Sequence, residues 1–242
     1  MTHYPLESGI IIHFGKTIPE EGANIIATGP ILGEIPAIAK GIAFKTNIKD
    51  VAIALFSNKV AYKAYSYLLV TKGYGCMCSV VFGDMRRINN CFKETRKIYS
   101  EMLNLDIKEP KNVGGIGSFS LESIFENDKA LIVGEAAGLQ DFLWGFGMRY
   151  AITSGYLAAK SIIDNGDYKE IAEKHFSHRL KASAVNRYLW EKFGESEYSF
   201  LLENVEFIES VLGSMHNFNL VQRILYPIAL SYLRKRYSQL RL

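Results

Sequence analysis

The feature that most constrains this chain is an apolar run that ends directly in a turn of small residues. Residues 129–133 form the apolar run, and the turn that follows is Gly134, Glu135, Ala136, Ala137 and Gly138. A short apolar run stopped by glycine predicts a buried strand that ends in a tight turn. Small residues let a ligand approach the backbone, and the carboxylate of Glu135 can accept hydrogen bonds from hydroxyl groups. This stretch therefore predicts a ligand-binding turn.

A glycine-rich helix start lies shortly after this turn. Gly145 and Gly147 precede Met148, and the pattern predicts a helix from Gly147 to about Ile163. The first N–H groups of a helix lack intrahelical partners and carry positive partial charge. We expect one face of this helix to approach a sheet or a ligand closely, since its residues are small: Ala151, Ser154, Gly155, Ala158 and Ala159. The carboxylate and the helix start together suit a polyol-linked cofactor with a delocalised anionic ring.

Residues 131–159 resemble the second FAD-binding signature of flavoproteins in the geranylgeranyl reductase and p-hydroxybenzoate hydroxylase superfamily. That signature is a strand, G-[DE]-A-A-G, a loop, G-x-G, and a helix with A-I-x-S-G-x-x-A-A. The resemblance implies that FAD is the cofactor, that Glu135 binds its ribityl chain, and that Gly147 and Met148 lie against the pyrimidine edge of the flavin. Members often carry a proline before G-x-G, where this chain has residues 142–144, Phe-Leu-Trp.

Two weaker resemblances point to the same family. Residues 24–30 resemble its strand-A-T-G segment, and a hairpin around Gly73 and Gly75 resembles its G-Y-x-W-x-F strand, with Cys76 or Met77 in place of the tryptophan. The resemblance implies an FAD-dependent oxidoreductase that passes hydride between flavin and a small apolar substrate, with NAD(P)H as an electron donor. It assigns no catalytic residue.

The family's first dinucleotide-binding unit, with G-x-G-x-x-G between a strand and a helix, has no counterpart in this chain. The resemblance therefore implies that the chain corresponds to the C-terminal two thirds of a flavoenzyme. Three origins stay open: a shortened gene product, a split subunit and a cofactor-free descendant. A non-catalytic or partner-dependent half is the alternative to an enzyme. Because the chain lacks that unit, we expect strands near residues 10–12 and 131–133 to lack neighbours, and hence a homo-oligomer or a partner chain.

The predicted fold is mixed α/β, of the α+β kind: a partial FAD/NAD(P)-binding flavoprotein fold with a β-sheet substrate region and a helical C-terminal region. We place the first two parts in residues 1–164 and the helical region in residues 165–242. Strands are predicted at residues 10–12, 24–27, 65–70, 76–82 and 129–133. Helices are predicted at residues 90–104, around 172–188, at 198–212 and after 219. Gly114, Gly115 and Gly117 predict irregular structure.

Composition narrows the function classes. The chain has 242 residues and a net charge of +3, which gives no electrostatic reason to expect nucleic-acid binding. No apolar run is long enough to span a membrane, and no signal peptide is evident, so we expect a cytoplasmic protein. The three cysteines are expected to be reduced and buried. His175 and His178 lack a nearby third ligand, so no metal site is predicted.

Charge is distributed unevenly near the C-terminus. Residues 195–210 contain five acids and no base, whereas residues 219–242 contain five bases and no acid. Two helices of opposite charge that pack together are the simpler interpretation. The alternative is peripheral membrane contact, in which the basic C-terminal helix touches an anionic lipid surface.

Overall fold

A computed structural model describes residues 9–19, 22–30, 35–204 and 217–238. The strands are β1 (Ile25–Ile26), β2 (Ile35–Lys45), β3 (Val51–Leu55), β4 (Ser66–Thr71), β5 (Tyr74–Phe82), β6 (Lys108–Phe119) and β7 (Leu131–Ile132). The helices are α1 (Ile88–Leu103), α2 (Met148–Asp164), α3 (Tyr168–Lys192), α4 (Glu195–Glu203) and α5 (Leu220–Ser238). The fold is therefore mixed α+β, as predicted.

The larger sheet is antiparallel, with the strand order β3-β4-β5-β2-β6. Successive side chains of a strand point to opposite faces, and on β5 one set, including Met77 and Val81, is buried in the cores on the side of α1. The Ser79 hydroxyl donates to Thr95 Oγ1 at 2.8 Å, and Thr95 donates to the Val60 carbonyl at 3.1 Å. These bonds satisfy the two hydroxyls that α1 and β5 bury between them.

The prediction of irregular structure at Gly114, Gly115 and Gly117 is wrong, because these residues lie in strand β6. All three residues lie in a regular ladder with β2, in which Gly114 is opposite Lys40 and Gly115 is opposite Ala39. A Cβ atom on Gly114 would lie 2.5 Å from the carbonyl oxygen of Ala39. Glycine thus permits a close backbone approach here, and the interstrand hydrogen bonds outweigh its low strand propensity.

The predicted strand at residues 10–12 is wrong. These residues are in no strand, and the side chain of Ile11 is 79% exposed. β-Branched residues favour a strand only when a neighbouring strand and a packed face are available. No strand of the described part of the chain pairs with this segment.

The smaller sheet pairs two segments that are distant in sequence. Strands β1 and β7 are parallel, with Ile25 opposite Leu131 and Ile26 opposite Ile132. This pairing confirms the strands predicted at residues 24–27 and 129–133, although both are shorter than expected. Ile132 lies in the main hydrophobic core with Tyr168 and Phe176 of α3. The division after residue 164 falls at the left-handed residue Asn165 between α2 and α3, and as a domain boundary it stays a prediction.

The C-terminal helices pack as a layer, in which α5 lies against α3. Two of the bases of α5 form ion pairs with acids outside the acidic segment: Arg234 pairs with Glu122, and Arg236 Nε lies 3.9 Å from Glu191 Oε2. The predicted helix at 198–212 begins at Glu195, and its part beyond residue 204 lies outside the described residues. Helix packing by opposite charge and membrane contact both stay predictions. No helix in the described part is long and apolar enough to cross a membrane.

Adjacent glycines of β6 test the close approach between β6 and β2. We expect Gly114→Ala to lower the free energy of unfolding by about 1–3 kcal/mol, because its Cβ atom would press on the backbone of Ala39. Gly115→Ala is the matched control, since a Cβ atom there meets nothing within 4 Å. Urea unfolding of both variants measures the difference, and equal stabilities would show that the sheet absorbs the added methyl group.

Candidate functional site

The small-residue turn after β7 is a 3₁₀ turn with a left-handed glycine at each end. Gly134 has φ +63° and Gly138 has φ +75°, and the Gly138 N–H donates to the Glu135 carbonyl at 3.0 Å. A Cβ atom on Gly134 would lie 3.2 Å from Ala151 Cβ, and one on Gly138 would lie 3.0 Å from Ser120 Cβ. Conformation and internal packing thus account for both glycines without a ligand, which differs from the reason that the sequence suggested.

Helix α2 is fastened to this turn by a buried serine. The Gly134 N–H donates to Ser154 Oγ at 2.9 Å, and the Ser154 hydroxyl donates in turn to the Ala151 carbonyl at 3.1 Å. Of the small residues predicted to form a closely packed face, Ser154 and Ala158 are fully buried, whereas Ala151 and Ala159 are exposed. The turn is therefore held at a fixed place near the first turns of α2.

Two groups with complementary chemistry lie on the turn and on the helix that packs against it. Glu135 is half-buried on the turn, next to the buried Ala136 and Ala137. Helix α2 begins at Met148, which is 81% exposed, and its capping residue Gly147 provides no side chain to bond the first N–H groups. The site thus combines a carboxylate acceptor with helix N–H donors that carry positive partial charge.

The loop between the turn and α2 is closed by Asp141. The Trp144 N–H donates to Asp141 Oδ1 at 2.7 Å, the Gly145 N–H donates to the Asp141 carbonyl at 2.9 Å, and the Asp141 N–H donates to the Phe146 carbonyl at 3.1 Å. Gly145 is left-handed, with φ +77°. Asp141 therefore sets the path that places Gly145 and Gly147 beside the turn.

Aromatic side chains attach this loop to the larger sheet. The Tyr65 hydroxyl donates to the Trp144 carbonyl at 3.1 Å, and the two rings meet edge to face with centroids 5.6 Å apart. Trp144 also contacts Trp190 of α3, with centroids 4.8 Å apart. Trp144 belongs to the Phe-Leu-Trp segment at residues 142–144 that precedes G-x-G in the sequence. It was not predicted, because its members are scattered along the sequence.

A buried arginine on α3 holds the other side of the loop. Arg187 is completely buried, and it donates to the Lys63 carbonyl at 2.8 Å and to the Leu143 carbonyl at 3.5 Å. It also pairs with Glu191, which accepts a hydrogen bond from Tyr237 of α5. Burial by itself would raise the pKa of Glu191, but the Arg187 charge and the Tyr237 hydroxyl outweigh it and lower that pKa. Sequence periodicity gave no signal for this network, since a charged residue in a helix is usually exposed.

The structure brings the predicted site residues together at one end of α2, with Gly134–Gly138 on one side and Gly145, Gly147 and Met148 on the other. Two surface clefts are lined by other residues: one includes Asn24 and Gly166, and the other includes Ser120 and Tyr226. The described residues contain no group of three potential metal ligands. None of the three cysteines forms a disulfide; Cys78 and Cys91 are buried and Cys76 is half-buried.

Comparison with solved structures identifies the fold. A geranylgeranyl bacteriochlorophyll reductase-like protein from Thermoplasma acidophilum matches 85% of this chain with a TM-score of 0.61 and 15% sequence identity. The flavin-dependent brominase Bmp2 matches 84% of this chain with a TM-score of 0.53 and 13% identity. The chain has the fold of part of a flavin-dependent enzyme. It spans 56% of the length of each of these two proteins. No protein-family model and no curated protein sequence matches it.

Two serines of α2 test the attachment of the turn. Ser154 and Ser161 are both buried, and each donates to a carbonyl of its own helix, but Ser154 also accepts the bond from Gly134. We expect Ser154→Ala to cost about 1–3 kcal/mol of stability, because it leaves a buried N–H without its acceptor. Ser161→Ala is the control and should cost less. Thermal unfolding compares the two, and equal losses would contradict a special role for Ser154.

Proposed function

We propose that this chain binds the flavin and ribityl part of FAD at the Gly134–Gly138 turn and the start of α2. The observation that supports this most directly is the packing of Gly134 against Ala151 of α2, which places the turn that carries the half-buried Glu135 beside a helix start at Met148 without a side-chain cap. The likeness in fold to a flavin-dependent brominase agrees with it.

The residues present fit this cofactor by the chemistry of their donors and acceptors. Glu135 is placed to accept hydrogen bonds from ribityl hydroxyls. The first N–H groups of α2 would hold a carbonyl oxygen of the pyrimidine edge and stabilise negative charge on the reduced ring. Gly147 adds no side chain of its own at the helix start, and the side chain of Gln140 packs against it. FAD, when bound, supplies the hydride chemistry, and the protein supplies position and electrostatics.

We further propose that the complete enzyme is an oxidoreductase of the geranylgeranyl reductase-like type, with a small apolar substrate and NAD(P)H as electron donor, in the cytoplasm. The likeness to a geranylgeranyl bacteriochlorophyll reductase-like protein supports the substrate class. The aromatic cluster of Tyr65, Trp144 and Phe146 gives the neighbourhood of the helix start an apolar wall suited to such a substrate.

Flavin binding is tested by substitution of Glu135. We expect the wild-type chain to quench flavin fluorescence on titration with FAD, and Glu135→Ala to weaken binding by roughly one to two orders of magnitude, since a charged acceptor contributes about 1.5–3 kcal/mol. Riboflavin, which carries the same ribityl chain, should be affected equally.

The controls separate the carboxylate from general damage to the fold. Glu101→Ala removes an exposed carboxylate of α1 and should leave binding unchanged. Substitution of Gly138 is unsuitable, because any Cβ atom there meets Ser120 and disturbs the turn itself. Unchanged affinity of Glu135→Ala would place the flavin elsewhere.

A second candidate function, a partner-dependent half, rests on an apolar stripe of α2. The side chains of Met148, Ile152, Tyr156 and Ile163 are more than half exposed and follow one another at helical spacing. Parallel sheets are normally covered on both faces and are larger than the pair β1 and β7. We propose that a partner polypeptide with a pyrophosphate-binding unit covers this stripe and completes the FAD site.

The stripe predicts association that depends on apolar contact. We expect the isolated wild-type chain to self-associate through it, and Ile152→Glu to shift the chain to monomer in light scattering, because the substitution places a charge in the contact. Lys97→Glu, at an exposed position of α1, is the control and should leave the mass unchanged. A monomeric wild-type chain that binds FAD tightly would contradict the partner-dependent function.

A further inference from the structure

Helix α5 exposes a row of apolar side chains on the face opposite to its packed face. The buried residues of α5 recur at helical spacing and define the packed face: Gln222, Ala229, Leu233 and Tyr237. Four aliphatic side chains on the other face are more than half exposed, and we call them the α5 stripe: Leu220, Val221, Ile224 and Ile228. At 3.6 residues per turn, these four positions fall within roughly 100° of the helix circumference. They therefore form one continuous apolar surface.

The rotation of α5 about its axis is fixed at its first turn. The Gln222 N–H donates to Asn219 Oδ1 at 3.0 Å, and the Asn219 N–H donates to Gln222 Oε1 at 3.3 Å, which is a reciprocal cap of the helix start. The Gln222 side-chain amide also donates to Asn186 Oδ1 of α3 at 3.1 Å. The α5 stripe therefore cannot turn inward unless these bonds break.

Positive charge lies around the α5 stripe. Residues 217–238 contain four bases and no acid. Arg223 donates to the Phe218 carbonyl at 3.3 Å and meets no acid among the residues that the structure describes. Helix α3 adds Lys181 and Lys192, whose ammonium groups lie 5.9 Å and 4.0 Å from the centres of tyrosine rings of α5. Two bases near the end of α5 are balanced by acids, so the excess positive charge comes from the others.

An apolar stripe bordered by bases is typical of a helix that lies in the surface of an anionic membrane. A surface helix of a globular protein usually turns polar residues to the solvent, so the exposed α5 stripe calls for a covering surface. Its side chains are all aliphatic, whereas contacts between proteins are enriched in aromatic residues. Bases beside the stripe match the phosphates of anionic lipids. These features favour a lipid surface over a protein partner.

We propose that α5 attaches this protein to the surface of an anionic phospholipid membrane. The α5 stripe enters the boundary between headgroups and acyl chains, and the bases beside it lie among the lipid phosphates. The helix lies in the plane of the interface and does not cross the membrane. This contact does not rest on flavin binding, and it uses a different helix from the stripe of α2.

Flotation with lipid vesicles tests the proposal on the wild-type chain. We expect the chain to float with vesicles of phosphatidylcholine and phosphatidylserine, and to bind vesicles of phosphatidylcholine alone at least about tenfold more weakly, since each base near an anionic surface strengthens binding about fivefold. Flotation separates chain bound to vesicles from self-associated chain, which does not rise. Equal binding to both kinds of vesicle, or no binding to the anionic ones, would overturn the proposal.

Two matched glutamate variants locate the contact. Ile224 of the α5 stripe is 64% exposed and Ile152 of α2 is 68% exposed, so the same substitution changes net charge and surface equally. We expect Ile224→Glu to weaken binding to anionic vesicles by at least about tenfold, because an isoleucine no longer enters the lipid. Ile152→Glu should keep the wild-type affinity. Equal losses in the two variants would overturn the assignment to α5.

A pair of base substitutions tests the role of charge. We expect Arg223→Gln to weaken binding to anionic vesicles by about fivefold and to leave binding to neutral vesicles unchanged. Lys97→Gln, at an exposed position of α1, is the control and should bind as the wild type does. An equal effect of the two substitutions would show that net charge alone attracts the chain, and would contradict a specific contact of α5.

Thermal unfolding shows whether the α5 stripe is free to meet lipid. Because Ile224 is mostly exposed, we expect Ile224→Glu to keep the melting temperature of the wild type. A clear fall in the melting temperature would show that another part of the protein covers the stripe, and would overturn the proposal.

Discussion

The buried guanidinium of Arg187 is the contact on which the arrangement of the other elements depends. It bonds to the carbonyls of Lys63 and Leu143, lies 4.0 Å above the ring of Phe82, and pairs with Glu191. These partners belong to the β3–β4 connection, the loop before α2, the larger sheet and α3. A buried charge is costly unless every donor is used, so these segments are held in one relative position. The loop that carries Gly145 and Gly147 is positioned by the bond from Arg187 to the Leu143 carbonyl.

The sequence allowed the local elements of the site to be predicted, because its signals are contiguous. The strand, the small-residue turn and the helix start at residues 131–164 follow from apolar pattern and glycine placement, and the parallel pairing with Ile25 and Ile26 agrees with the strand expected there. The prediction from glycine content was wrong where pairing with a neighbouring strand determines the structure. Gly114 and Gly115 predicted irregular structure, yet both lie in a regular strand that pairs with β2. The isoleucines at residues 10–12 led to the opposite error, a predicted strand that is absent, since β-branched residues favour a strand only beside a neighbouring strand.

The remaining parts of the site depend on contacts between distant residues and have no local pattern. Arg187 in a helix looks like any solvated base, and its burial follows only from where the carbonyls of Lys63 and Leu143 lie. The aromatic cluster around Trp144 likewise joins Tyr65 and Trp190, which no periodicity connects. The positions of the turn glycines were predicted correctly, but the reason for glycine there was not. Gly134 and Gly138 are required by their left-handed backbone and by the close neighbours Ala151 and Ser120, rather than by a ligand.

The parallel pairing of β1 with β7 has a consequence for how the protein folds. Ile25 and Leu131 are joined by about a hundred residues, more than half of which lie in the strands of the larger sheet and in α1. Closing so long a loop costs conformational entropy, and the two residue pairs between β1 and β7 offset little of that cost. The hairpins of the larger sheet are local in sequence, so we expect them to form earlier. The intervening sheet must therefore collapse first and bring the two short strands within reach. We therefore expect the turn after β7 to be completed late in folding, so that the packing of Gly134 and Gly138 reports on completion of the fold around it.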